Sequence, residues 1–483
     1  MSLKNKVIFG ALWSFGERIS SQAVSFIVSI ILARLLAPEA FGAVALVLVF
    51  INIVNVFALG GFGNSLIQKK DADSIDFSTV FWFNLAFSSI LYFLIYVSAP
   101  LISSFYRIEY LTPIIRVMGV RIIIASLDSV QRAYVSREMK FKKFFYSTLI
   151  GTILSAIIGV VFAYLGYGIW ALVWQSLLGT LINALVLWFT VRWRPILVFS
   201  TSRLKSLFSF GWKLLVSSLL STVYVELTDL LVGKFYGSAD LAFFNRGKKF
   251  PQLFVMQINS SIDAVLFPAM SKHQNDVLKL KSDVRYSIRF STFCLFPFLF
   301  GLAAIAHDLI VFLLTEKWLD STIYLQIACI SFVTLPIGMA NIQAIKALGR
   351  SDIYLKLDII KKIVGVTMLC VFLKEGVIAI AIAEALSNFI GLIPNVWPNK
   401  KLLNYTPFEI LKDVAPSILL SSVMFGFVVM LGGWLDFPLF IKLGVQTLFG
   451  ILCYLGLAYI FKCQTLFEFL KTIKNLKRGE SNG

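Results

Sequence analysis

Acidic side chains are scarce in this chain: 26 Asp and Glu stand against 44 Lys and Arg. Charge of either sign is thin, at 14% of 483 residues, where a soluble domain carries about a quarter. The two histidines, His273 and His307, have no ligand-spaced companions, and Cys294, Cys329, Cys370, Cys453 and Cys463 are scattered without C-x-x-C spacing. A metal site and a redox motif are therefore not expected, and the cysteines read as small hydrophobes. There is no G-x-x-x-x-G-K-[ST], so nothing points to ATP hydrolysis, and no G-x-S-x-G or H-E-x-x-H appears. The GGFGN stretch from Gly60 to Asn64 ends an apolar run and lacks the strand–turn–helix setting of a nucleotide loop. Asn259-Ser260-Ser261 matches a glycosylation triplet but lies inside an apolar run. Long polar segments are missing as well, so no connection is large enough to fold into a catalytic domain. The chain is not expected to be an enzyme.

Apolar sequence is what fills the space. Hydrophobic residues make up 58% of the chain, the mean hydropathy is +0.83, and 45 Phe, 16 Tyr and 10 Trp suit lipid-facing and interfacial surfaces. This is the composition of a polytopic membrane protein. Spanning-length runs recur at roughly 8–33, 41–63, 77–99, 112–132, 144–165 and 168–190, then at 207–232, 244–268, 287–306, 321–347, 354–373, 376–397, 414–432 and 438–461. Each is near the ~20 residues that a ~30 Å hydrocarbon core requires. The expectation is about fourteen transmembrane helices. The opening MSLKNK and the run after it have the outline of a signal peptide, but the run is too long and contains Glu17-Arg18, so it reads as a retained first helix.

The net charge of +18 sits in short loops, which is a topology signal and gives no reason to expect nucleic acid as a partner. With the N-terminus inside and sides alternating, 31 Lys and Arg fall on the cytoplasmic side and 9 outside, placing both termini in the cytoplasm. Three of the nine, Arg246, Lys248 and Lys249, cluster at the outer start of the eighth run. Two roles fit them: headgroup anchors that snorkel, or an anion-attracting outer rim.

Several runs carry polar stripes. In the first, Ser14, Glu17, Arg18, Ser21, Gln22, Ser25 and Ser29 fall within an arc of about 140°. A charge near mid-membrane costs about 2.5–3.5 kcal/mol on insertion scales, so it needs a partner or a wet cavity. Glu17 and Arg18 could pair to lock helices, or face a polar cavity. The seventh run carries Lys213, Ser217, Ser218, Ser221, Thr222, Tyr224, Thr228 and Asp229 within about 160°, with Glu226 off that face and expected to find a partner elsewhere in its own half. The fourth carries Arg121, Asp128 and Arg132, the last two at the i, i+4 spacing of a local pair. The twelfth carries Glu384, Ser387, Asn388 and Asn395 on one face. Interhelical bonding would explain any one stripe, but four together favour a polar lumen.

An internal repeat ties the stripes together. Ser14-Phe15-Gly16 parallels Ser209-Phe210-Gly211, IILARLLAPEAFGAVAL parallels LLVGKFYGSADLAFFNR, and GYGIWALVWQSLLGTLIN from Gly166 parallels KEGVIAIAIAEALSNFIG from Lys374. Six runs separate the copies, an even number, so both have the same orientation, as in transporters built from parallel repeats. The expected organisation is an N-terminal lobe over 1–191, a basic cytoplasmic linker over 192–206, a C-terminal lobe over 207–400, and two further helices with a basic tail over 401–483.

WSFGERISSQ followed by ILARLLAPEAFG resembles the opening of the Wzx-type flippases of lipid-linked oligosaccharides, particularly their WzxC-like branch. Their superfamily also holds multidrug/toxin-extrusion antiporters and the lipid II flippase. VLFPAMSKHQND (265–276), FPFLFGLAAIAHDLIVFLLTEKW (296–318) and LPIGMANIQAIKALGRSDIYLK (335–356) continue the resemblance to about residue 400. Ala242 departs from it, standing where relatives usually have Gly. The resemblance implies fourteen helices in two six-helix lobes plus two. It also implies export of an undecaprenyl-pyrophosphate-linked oligosaccharide across a bacterial inner membrane, for lipopolysaccharide or exopolysaccharide assembly. A polysaccharide polymerase and chain-length machinery are the implied protein partners. For such a cargo a flippase needs cations in a wet groove. Arg18, Arg121 and Lys213 are the candidates for the pyrophosphate, with Ser21, Gln22, Ser25 and Ser221 for sugar hydroxyls. Glu17, Asp128, Asp229 and Glu384 are candidates for H+ or Na+ coupling, and no other cofactor is expected. The alternatives are an ion-coupled small-molecule antiporter of the same superfamily, which a cation-rich lumen disfavours for cationic drugs, and a membrane-embedded polymerase or ligase, which lacks the outer loop it would need.

Overall fold

The structure is a computed structural model that describes residues 3–59, 61–468 and 471, with side chains described throughout except at 3–8, 11, 210 and 259–269. Most of the basic C-terminal tail lies outside the described residues. Regular structure among the described residues is entirely helical. Eleven helical segments are long and apolar enough to cross a membrane. The other three expected runs are also helical, in α5 (Leu111–Arg137), α9 (Ser238–Lys272) and α14 (Ser351–Phe372). These three carry the densest charge, such as Arg116, Arg121, Asp128 and Arg132 in α5, and that holds down their hydropathy.

The chain divides into two compact units, Met1–Ala242 and Phe243–Gly483. In the first, α1 (Leu3–Leu35) packs on α6 (Lys142–Tyr164), and α6 packs on α7 (Ile169–Thr190). α5 lies against α7, α4 (Ser74–Tyr106) and α2 (Pro38–Leu59). Lipid gives helices no hydrophobic reason to associate, so close backbone approach and polar bonds do the work. At the α6–α7 contact a Cβ on Gly151 would stand 3.1 Å from the carbonyl oxygen of Gly179. α8 (Thr201–Phe235), which the repeat places at the head of the second half, is grouped by its contacts with the first unit, against α2, α3 (Phe62–Gln68) and α4. Gly61 makes that approach possible: it turns the chain between α2 and α3 at φ 73°, and a Cβ there would lie 2.7 Å from the carbonyl oxygen of Gly211.

The segment expected as a linker is pinned. Ile196 donates its N–H to the Ser78 hydroxyl at 3.0 Å and accepts from the Trp82 indole at 2.8 Å, while Ser200 donates to Thr79 at 3.2 Å. Trp193 packs its ring against Phe77 and Phe81. Just beyond, Arg203 pairs with Asp73 at 2.6 Å and with Asp76 at 3.3 Å, and Lys69 holds Asp76 at 2.7 Å. Asp73 also caps α4 by accepting from the N–H groups of Ile75 and Asp76.

In the second unit, α10 (Val277–Ala304) packs on α16 (Pro407–Trp434), on α13 (Leu335–Ala347) and on α12 (Ser321–Phe332). α15 (Val377–Leu402) packs on α12, α13 and α14, and α16 on α17 (Leu439–Ile460). The run expected over 321–347 is broken between α12 and α13 at Val333 and Thr334, and Pro336 sits in the first turn of α13. A core of Val284, Ile288, Phe296, Ile337, Ile410 and Val414 holds α10, α13 and the start of α16 together.

Candidate substrate-binding and coupling residues

In the first unit the stripe on α1 splits between two roles. Glu17 accepts a hydrogen bond from the Thr148 hydroxyl of α6 at 2.7 Å. Arg18, Gln22 and Ser25 are exposed, and Ser21 is half-buried with its hydroxyl donating to the Arg18 carbonyl at 3.3 Å. Glu17 and Arg18 make no ion pair with each other among the described contacts, because adjacent residues on a helix point about 100° apart.

Arg121 reaches across from α5 to α7. Its Nε donates to Thr180 Oγ1 at 3.1 Å and its Nη1 to Ser176 Oγ at 2.7 Å. These hydroxyls orient the guanidinium and do not neutralise it. Further along the same helix, Asp128 is buried and bonded to Arg132 at 2.5 Å, the local i, i+4 pair that the spacing allows. Arg132 also donates to Asn183 at 3.0 Å. The α5 stripe is therefore met by a ladder on α7, Ser176, Thr180 and Asn183, at the i, i+4, i+7 spacing of one helix face. The sequence shows that spacing within WQSLLGTLIN, but sequence reasoning assigned it only to the repeat.

On α8, Lys213, Ser217, Ser218 and Ser221 are exposed, and Asp229 is half-buried. Glu226 accepts from Asn52 Nδ2 at 2.9 Å. Its partner is thus on α2, in the N-terminal half of the repeat and not in its own half as expected, because α8 packs on α2.

In the second unit two residues expected to do different jobs meet. Lys248, read as part of an outer rim, and Glu384, read as a coupling carboxylate, form an ion pair at 2.5 Å between α9 and α15. The Lys248 ammonium also lies 5.2 Å from the centre of the Phe244 ring, and both charged groups line a small cavity with Tyr324 and Ser331. Asn388, one turn from Glu384, donates to Ser331 at 2.8 Å. The other two rim residues have different settings: Arg246 is buried with its guanidinium 5.0 Å from the centre of the Trp318 ring, and Lys249 is exposed. No group of three or more His, Cys, Asp or Glu placed to hold a metal ion occurs among the described residues.

The structure adds a charge hub that sequence reasoning missed. Asp413 on α16 receives Arg285 through two bonds of 2.8 Å, Arg289 at 3.0 Å and the Tyr405 hydroxyl at 2.8 Å. Burial and that same bond to the carboxylate push the Tyr405 hydroxyl well above its ordinary pKa. Nothing local joins these residues, since Arg285 and Asp413 are 128 positions apart. The only signal was Arg285 and Arg289 at i, i+4.

A helical polytopic membrane protein with charged side chains held inside its helix packing has the makings of a transporter. Residues 31–323 match the family described as polysaccharide biosynthesis protein, and the chain belongs to that family. It is 24% identical over 422 residues to the teichuronic acid biosynthesis protein TuaB of Bacillus subtilis (strain 168), covering 85% of this chain and 86% of that protein. It is 25% identical over 369 residues to the lipopolysaccharide biosynthesis protein WzxC of Escherichia coli (strain K12), covering 75% and 74%. The resemblance carried by the sequence motifs is borne out. The fold is similar to that of the lipid II flippase MurJ in an inward closed conformation, with a TM-score of 0.75, 18% identity, and coverage of 94% of this chain and 98% of that one.

Proposed function

We propose that this chain is a flippase that carries an undecaprenyl-pyrophosphate-linked oligosaccharide across the bacterial inner membrane by alternating access, for surface polysaccharide assembly. The observation that carries the reading is Arg121, a guanidinium fixed by the neutral hydroxyls of Ser176 and Thr180. A cation aimed by neutral groups keeps its charge for an anionic ligand, and a fork of N–H donors suits a pyrophosphate. Arg18 and Lys213, both exposed on helices of the same unit, are the second and third phosphate contacts, and Ser21, Gln22, Ser25 and Ser221 contact sugar.

The finer architecture belongs to the same proposal: fourteen transmembrane helices, two six-helix lobes plus two helices, and both termini in the cytoplasm. The protein moves its cargo without chemistry of its own and delivers it to a polymerase and chain-length machinery. If transport is coupled to H+ or Na+, Glu17 is the leading carboxylate, because its described partner is a hydroxyl, while Asp128 and Glu384 are held by cations. Asp229 is the alternative.

The test is reconstitution into liposomes with a labelled undecaprenyl-pyrophosphate oligosaccharide, following appearance of the label on the opposite face. Wild-type protein should move the label. Arg121→Ala should slow it by about 10- to 100-fold, the worth of a charge-assisted hydrogen bond of about 1.5–3 kcal/mol, and Arg18→Ala should slow it in the same direction. Full-rate flipping by both inserted variants would remove their phosphate-binding roles. Movement of cationic drugs without movement of the labelled lipid would favour an antiporter.

A further inference from the structure

In the second unit a groove of about 630 Å3 lies where α16 and α17 meet the first half of α10, a volume within the usual range of ligand pockets. One end is cationic. Arg285, Arg289, Lys412 and Lys462 line it with a single carboxylate, Asp413, and that carboxylate already receives Arg285, Arg289 and Tyr405. Arg289 gives Nε to Asp413 and Nη1 to Gln464 at 3.1 Å, so among the described contacts its second terminal nitrogen is left over. Lys412 and Lys462 are exposed and make no ion pair among the described residues.

Lys462 adds an independent observation. It follows α17 at φ 49°, in the turn where Cys463 donates its N–H to the Ala458 carbonyl. That left-handed position favours Gly or Asn, and Lys462 occupies it with its side chain exposed at the cationic end of the groove. The wall leading away from the cations is apolar and open, with Leu419, Val423 and Phe461 exposed.

We propose that this groove binds an acidic phospholipid of the surrounding membrane. The phosphate diester sits against Arg289, Lys412 and Lys462, and an acyl chain runs along Leu419, Val423 and Phe461. The proposal needs only that the unit sits in a bilayer and is independent of the cargo assigned above. The same anionic chemistry could come from free phosphate or from the pyrophosphate of a lipid-linked oligosaccharide, and the experiment separates these sources.

The measurement is the thermal unfolding midpoint of the delipidated full-length protein in detergent, titrated with phosphatidylglycerol, phosphatidylcholine or inorganic phosphate. Phosphatidylglycerol should raise the midpoint and phosphatidylcholine should not. In Lys412→Gln/Lys462→Asn the apparent affinity for phosphatidylglycerol should fall on the order of tenfold, Asn being chosen because it tolerates the left-handed backbone. Lys412→Glu, at an exposed helix position, should weaken the response on its own without touching that turn. Lys70→Gln/Lys205→Gln, in the other unit, should leave it unchanged. Equal responses of wild type and both groove variants would overturn the proposal, as would equal stabilisation by phosphatidylcholine. Reproduction by inorganic phosphate would reduce the groove to a free-anion site. Displacement of phosphatidylglycerol by the lipid-linked pyrophosphate at equal concentration would give it to the cargo instead.

Discussion

A charged side chain inside a membrane protein is defined by what neutralises it. Arg121 is met by two hydroxyls and Glu17 by one, so among the described contacts neither is paired with an opposite charge. Lys248 and Glu384 neutralise each other while partly exposed, at 26% and 32% of their side-chain surface. Such a pair contributes less than a fully buried one, where loss of one partner costs about 3–5 kcal/mol. Glu384→Gln should therefore destabilise the second unit by about 1–2 kcal/mol, and Lys248→Gln/Glu384→Gln by less than the sum of the single variants. Thermal melts of the four proteins in detergent check this. Strict additivity would mean that the contact contributes nothing to folding and leave Glu384 open for a coupling role.

Helices set the next level. Contact of α6 with α7 depends on Gly151, where an added Cβ would also stand 3.2 Å from the backbone nitrogen of Asn183. Gly151→Val should force the helices apart at a cost of about 1–3 kcal/mol, and flipping should fall with it, because Asn183 and Thr180 lie on the displaced helix. The comparison of melting and transport in that variant checks both. The junction of α3, α4 and α8 is electrostatic instead. The N–H of Asp76 and the Arg203 guanidinium hold the Asp73 carboxyl below its ordinary pKa. A depressed carboxylate stabilises the folded state above its unfolded pKa, about 3.9, and that contribution is lost as pH falls through the lower folded value. Melting temperature should therefore drop between pH 5 and pH 3, with part of the drop missing in Asp73→Asn.

Across the whole chain, the distribution of basic residues predicts which connections face the cytoplasm. Single cysteines replacing Lys70, Lys205 or Lys356 in a background without native cysteines should react with an impermeant thiol reagent only from the cytoplasmic side, and one replacing Lys374 only from outside. Reaction of Lys205→Cys and Lys374→Cys from the same side would break the fourteen-helix topology. Reaction of Lys70→Cys from outside would invert it.

The helical membrane class and the helical runs were legible because each rests on local quantities. Hydropathy over ~20 residues depends on nothing else in the chain, and motifs such as ILARLLAPEAFG carried the family. Periodicity also showed which face of each helix is polar. It did not show what that face meets. Lys248 and Glu384 stand 136 positions apart, Glu226 and Asn52 174, and Arg121 finds hydroxyls on a helix whose polar ladder looked like part of a repeat. A stripe has an angle on its own helix, but its partner is set by how the helices pack. Only the tertiary structure therefore decided that Lys248 is a paired cation, that Glu226 belongs with α2, and that Arg121 is oriented without being neutralised.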